Sequence, residues 1–435
     1  MATPAYRALR HVLPRRPVRR RVSRVAAGVL TLACVAGLAA GCGGQPAAGP
    51  SPTAPSPAHR ASSHATQGAQ AADPAPAAPA ATPSPSCPAT VLSKMTEAQR
   101  VGQLFLVGLP GNQVGGSVAG LITSHHYGSA IFGANSTGGV ASARRVADAV
   151  QALASGPATA GVRFFVAANQ EGGQVQALTG PGLAAIPSAL AQGSARVSVL
   201  RSLATTWGRQ LRSAGVNLNL APVVDVVPPG TDRANAPIGA VDREFGHDPA
   251  TVAAHGVAFL TGMASAGVAT SAKHFPGLGR VRGNTDFASS VVDTSTTASD
   301  PYLQTYQATI DAGVPLVMVA LATYTRIDPH HLAVFSPTIL QGLLRSRMHF
   351  RGTIVSDDMG AAAAVAGVSP AQRALGFIAA GGDLITTESL SVAGAMDAAL
   401  LQRAGSDRTF RAEVDAAALQ VLTTKQAYGL LPCPK

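Results

Sequence analysis

The sequence predicts an α/β fold, a single (β/α)8 barrel of the TIM type with no second sandwich domain. Three observations carry this reading. Eight short apolar runs of strand character recur along the 435 residues, near 104–109, 129–132, 163–168, 216–224, 268–272, 314–320, 352–356 and 383–386. Between them lie Ala-rich helical stretches, as at 141–154, 197–214, 249–266 and 305–312, the alternation that a parallel sheet with crossover helices requires. No Gly-x-Gly-x-x-Gly turn follows the first run, which counts against the alternative, an open doubly wound dinucleotide-binding sheet.

Ahead of the barrel the composition is different. Residues 1–41 hold eight arginines and no acid, so the formal charge of +11 falls to 25 basic against 22 acidic residues over the rest of the chain. A nucleic-acid partner loses its electrostatic footprint. Residues 25–40 form an apolar run the size of a signal-peptide core and short for a membrane span. It ends Leu38-Ala39-Ala40-Gly41-Cys42, which resembles the lipobox of bacterial lipoproteins, whose Cys becomes the lipidated first residue. The expectation is an exported chain on the outer face of the cell membrane, anchored through a lipid on Cys42; a secreted chain with an ordinary signal is the alternative. Residues 42–86 are dominated by Ala, Pro, Ser, Thr and Gly without apolar periodicity and read as a disordered tether.

The barrel domain then spans 87–435. Residues 92–103 read as one amphipathic helix, with Thr96 as N-cap or first-turn residue, and 392–428 as closing helices. Cys34 leaves with the signal and Cys42 carries lipid, which leaves Cys87 and Cys433. In an oxidising compartment a disulfide between these two is the simplest expectation.

Chemistry in such a barrel belongs at the C-terminal ends of the strands. The third run is followed by Asn169-Gln170-Glu171-Gly172-Gly173-Gln174-Val175. The fourth leads to Asp225 and then Asp242-Arg243-Glu244-Phe245-Gly246-His247-Asp248-Pro249. The fifth gives Lys273-His274-Phe275-Pro276-Gly277-Leu278-Gly279 and then Asn284-Thr285-Asp286. The seventh gives Ser356-Asp357-Asp358-Met359. A carboxylate at a strand end can attack an anomeric carbon or cap the next helix. Arg243 offers a rigid fork of donors to a sugar hydroxyl or a carboxylate, and Glu171 and Asp225 read as loop anchors. Strand alternation would turn only one of Lys273 and His274 toward the mouth. No ligand spacing such as His-Glu-x-x-His occurs, so no metal and no cofactor are expected.

Taken in order, these loops resemble the β-N-acetylglucosaminidases of glycoside hydrolase family 3, over about residues 90–430. The family sequences run Asp-Gln-Glu-Gly-Gly-Arg-Val, Asp-Arg-Ser-Phe-Gly-x-Asp-Pro, Lys-His-Phe-Pro-Gly-His-Gly with Asp-Ser-His soon after, and Ser-Asp-Asp-Leu. This chain departs at Asn169, at Leu278, at Leu321 and in lacking an intact Asp-Ser-His. The resemblance implies a monomeric retaining glycosidase. It would remove β-linked N-acetylhexosamine from peptidoglycan fragments or related cell-wall glycans. Asp357 would be the nucleophile, with Lys273, His274, Arg243, Asn169 and Asp225 around the sugar. The family's acid/base His is not found at its place. Asp286, the one carboxyl group of that loop before Asp293, takes the role if burial raises its pKa; His247 and the pair His330 and His331 are other candidates. The alternatives are a catalytically degenerate glycan-binding relative and a β-glucosidase-like specificity.

Overall fold

The computed structural model describes residues 86–433. The predicted signal segment, Cys42 and the tether up to residue 85 lie outside the described residues. Eight parallel strands form the sheet: β1 (Phe105–Leu109), β2 (Ser129–Phe132), β3 (Phe165–Ala168), β4 (Leu218–Asn219), β5 (Ala269–Phe275), β6 (Leu316–Val319), β7 (Thr353–Ser356) and β8 (Ile385–Thr387). They pair in chain order from β1 to β7, β8 returns to pair with β1, and a bridge between Val355 and Leu384 closes the ring. The architecture is the (β/α)8 barrel that the sequence predicts.

The differences are local and have local causes. The long fourth run has only two residues in regular ladder, Leu218 and Asn219; beyond them its pairing with the next strand continues as an isolated bridge between Val223 and Lys273. The fifth strand runs past Ala272 to Phe275, so Lys273 and His274 belong to the strand itself. The first helix is two helices, Cys87–Lys94 and Glu97–Gln103. Thr96 caps the second: its hydroxyl accepts the Gln99 N–H, and the Gln99 side chain accepts the Thr96 N–H.

Two apolar layers hold the barrel. Inside the ring, Leu106, Phe165, Leu218, Ala269, Leu316 and Val355 fill the lumen, so it is a packed core and not a pore. Outside it, the other faces of the strands pack against the helices, with Val107, Val166, Val317 and Ile354 meeting residues such as Leu211, Phe259, Leu344 and Phe377. Cys87 and Cys433 form a disulfide with Cα atoms 6.3 Å apart. It ties the first helix to the last segment of the domain beside Val91, Val162 and Leu422.

Candidate active site

The C-terminal ends of the strands surround a cleft. Its floor is apolar: Ile131, Leu220 and Met318 line it. Its walls are polar and come from distant parts of the chain: Asn169 and Glu171 after β3, Arg243 from the β4 loop, Lys273 and His274 from β5, Asn284 to Asp286 from the β5 loop, Asp357 and Asp358 after β7, and Glu388 after β8.

Glu171 organises the cations. It sits on a short hairpin, Gln170–Gly172 with Val175–Gln176. Gly172 and Gly173 both have positive φ there, and a Cβ at Gly172 would collide with the Pro187 carbonyl. Glycine is therefore needed for the chain to turn at that point. The Glu171 carboxylate accepts two bonds of 2.8 Å from the Arg243 guanidinium and pairs with Lys273 Nζ at 2.6 Å. Burial alone would raise its pKa, but Arg243 and Lys273 outweigh burial and hold it at about 2. Glu171 is thus the anchor expected, and the Arg243 guanidinium turns to it. Lys273 Nζ also donates to Asn169 Oδ1 at 3.1 Å. Burial lowers the Lys273 pKa against the pull of Glu171.

Both Lys273 and His274 line the cleft. The pairing of β5 with β6 shifts register between Ala272 and Phe275, so regular strand alternation does not describe this pair. His274 Nδ1 lies 2.8 Å from Asp225 Oδ2, and its Nε2 lies 3.4 Å from Arg243 Nη2. An Nδ1–H given to the carboxylate leaves Nε2 as the acceptor.

Asp225 is placed differently from its expected substrate-binding role. It is 1% exposed and does not line the cleft. Its Oδ1 accepts from the His274 and Leu278 backbone N–H groups and from the Tyr306 hydroxyl, and its Oδ2 faces the His274 ring. Its hydrogen-bonding capacity is spent on holding β5 and its loop, so it positions His274 and has nothing left for a sugar. The same loop is fastened elsewhere. A Cβ at Gly279 would collide with the Val226 carbonyl, and Asn235 donates to the carbonyls of Leu278 and Val281, both at 2.7 Å.

The loop then crosses to the far wall. The Ala363 and Ala364 N–H groups donate to the Asp286 and Thr285 carbonyls at 3.2 and 3.0 Å, which brings Asp286 to the cleft alongside Asp357. Burial, and after it the charge of Asp357, pushes the Asp286 carboxyl up to about 7. Asp358 accepts from the N–H groups of Gly360, Ala361 and Glu388, so it is the cap of the following turn.

Neither His247 nor the pair at 330 and 331 lines the cleft. His247 stands beside Asp232, while His331 is paired with Asp328 and over half exposed. His274 is the one imidazole among the described cleft residues. Glu388 was not a sequence candidate. It stands just past β8, and the rule that places chemistry at strand ends points to it. The other unforeseen cluster, Asp232, Glu244 and His247, has its ligand atoms within 4.8 Å of one another; nothing in the spacing of these three residues announces it.

The family model for the glycosyl hydrolase family 3 N terminal domain matches residues 96–424. The β-N-acetylhexosaminidase of Beutenbergia cavernae DSM 12333 superposes with a TM-score of 0.75 at 46% identity, over 76% of this chain and 99% of that one. A glycoside hydrolase family 3 β-N-acetylglucosaminidase from Paenibacillus sp. str. FPU-7 gives 0.70 at 25% identity, over 78% and 64% of the two chains. A beta-hexosaminidase of Xylella fastidiosa (strain M12) is 37% identical over 209 residues, 46% of this chain and 59% of that relative. The match thus spans less than two thirds of that curated relative's length.

Proposed function

The chain belongs to glycosyl hydrolase family 3 through an N-terminal-type domain, and from that premise we propose that it is an exported glycosidase. It removes β-linked N-acetylhexosamine, N-acetylglucosamine above all, from peptidoglycan fragments or related cell-wall glycans by a retaining mechanism. Export through the signal segment and attachment through Cys42 belong to the same proposal. The relatives named as hexosaminidases support the sugar, and the cleft supports the chemistry.

The observation that carries the reading is the pair Asp357 and Asp286. Both line one cleft, and the second is a carboxylic acid that burial and the first one's charge keep near neutrality. A carboxyl group that keeps its proton near neutral pH, facing a second carboxyl group across one cleft, is what double displacement requires. Asp357 attacks the anomeric carbon as Asp286 gives its proton to the departing glycosidic oxygen, which leaves a glycosyl ester on Asp357. Asp286, now a carboxylate, takes a proton from water; the water oxygen bonds to the anomeric carbon and Asp357 leaves. Arg243, Lys273, His274 and Asn169 present donors and acceptors to the sugar, held in place by Glu171 and Asp225. Asp286 stands on the loop where the family carries its His, so proton transfer is retained there by another residue type.

The test is hydrolysis of a chromogenic N-acetylglucosaminide beside other aryl glycosides, with Asp357→Ala as control. Turnover of the N-acetylglucosaminide that disappears in Asp357→Ala is expected. No turnover of any aryl glycoside with a good leaving group would sink the hydrolase reading. Faster turnover of a glucoside would move the specificity to the β-glucosidase class.

A further inference from the structure

On either side of Arg243 in sequence, on residues that do not line the cleft, three side chains of the β4 loop converge. Asp232, Glu244 and His247 each offer one ligand atom, and these atoms lie within 4.8 Å of one another. Glu244 is 0% exposed, and neither of its carboxylate oxygens has a hydrogen-bond partner among the described residues. Asp232 Oδ1 also lacks one, although His247 Nδ1 approaches it at 3.4 Å. The guanidinium next in sequence is turned away to Glu171. A buried carboxylate without donors is costly unless a cation or a proton meets it.

We propose that Asp232, Glu244 and His247 bind one divalent first-row transition ion of the Zn²⁺ type. Two carboxylates and one imidazole suit Zn²⁺ or Mn²⁺; Ca²⁺ and Mg²⁺ prefer all-oxygen shells. Ligand atoms about 2.0–2.1 Å from a tetrahedral ion stand about 3.3 Å apart, so the cluster closes slightly on binding. Asp232 and His247 can make that movement, since their side chains are 33% and 34% exposed; the same opening admits the ion and its waters. Asp232 begins the segment and Glu244 and His247 end it, so the ion clamps the loop that presents Arg243 to the cleft. It is a positioning site and takes no part in the glycosyl transfer.

The experiment is calorimetric titration of Zn²⁺, and separately Mn²⁺, into the purified full chain after chelator treatment. One saturable site is expected, with a Zn²⁺-dependent rise in Tm. Glu244→Gln and His247→Asn should each lower the affinity at least about 100-fold, since even outer-shell partners of metal ligands cost 10–100-fold. Both should also abolish the rise in Tm. The first is isosteric and the second part-exposed, so neither threatens the fold. His331→Asn, on the exposed pair with Asp328, should leave the affinity unchanged. No saturable binding, or binding untouched by both ligand variants, overturns the proposal and leaves Glu244 as a buried protonated acid.

Discussion

Replacing Asp286 by Asn tests the assignment of the acid. At its ordinary pKa of 3.8, a carboxyl group would hold its proton in about one molecule in 1,600 at pH 7. At about 7, the value set by burial and Asp357, about half the molecules hold it. The cleft thus raises the supply of acid at neutral pH by about 800-fold. For a poor leaving group, a disaccharide or an alkyl N-acetylglucosaminide, Asp286→Asn should lower kcat/KM by about 10²–10⁴-fold. For a dinitrophenyl N-acetylglucosaminide, kcat/KM should change by less than about tenfold, because that phenolate departs without a proton. Its kcat should fall, since no base then activates water; a burst of phenolate should appear, and azide should restore turnover. The alkaline limb of wild-type kcat/KM on the poor leaving group should fall near pH 7 and be absent from the variant. Equal losses on both leaving groups, or a limb that persists in Asp286→Asn, would show that another group moves the proton.

Two more outcomes concern the supports of the cleft. Glu171→Gln leaves Arg243 and Lys273 buried without their carboxylate and should cost about 3–5 kcal/mol in urea unfolding, with a raised KM. The sign of its pH dependence follows from a pKa lowered from 4.5 to about 2. The Glu171 contribution, about 3 kcal/mol, is fully present above pH 4.5 and fades as pH falls toward 2. The stability gap between wild type and Glu171→Gln should close over that window, and a constant gap would refute the ion-pair account. Asp225→Asn replaces a four-bond acceptor with a group that must turn an NH₂ toward donors, and should cost about 3–5 kcal/mol. Its KM should rise more than kcat falls if Asp225 acts only by placing His274. A variant of native stability with lost sugar binding would return Asp225 to direct contact.

The barrel is written in the chain because its determinants are local. Apolar runs of strand length, helical spacing between them and Pro or Gly at the turns each act over a few residues, and burial then has one economical arrangement for eight such units. The strand ends were legible for the same reason: Asn169 and Asp357 directly follow strands, Lys273 and His274 close the fifth, Arg243 and Asp286 stand on the loops after the fourth and fifth, and all line the cleft. What each of them does was decided by partners far along the chain. Glu171 meets an arginine 72 residues away, and Lys273 meets Asn169 at a separation of 104. Asp225 follows the fourth run much as Asn169 follows the third, yet four donors already occupy its carboxylate, so it positions and does not bind. Asp286 owes its raised pKa to burial and to the charge of Asp357, 71 residues on. Charge interactions fall with distance through space and strengthen with the loss of solvent. Sequence spacing carries neither quantity, so the sequence by itself determined the barrel and most of the groups on its strand ends and loops, and only the tertiary structure decided that Glu388 joins the cleft, that Asp225 stays behind it, and which groups anchor the others.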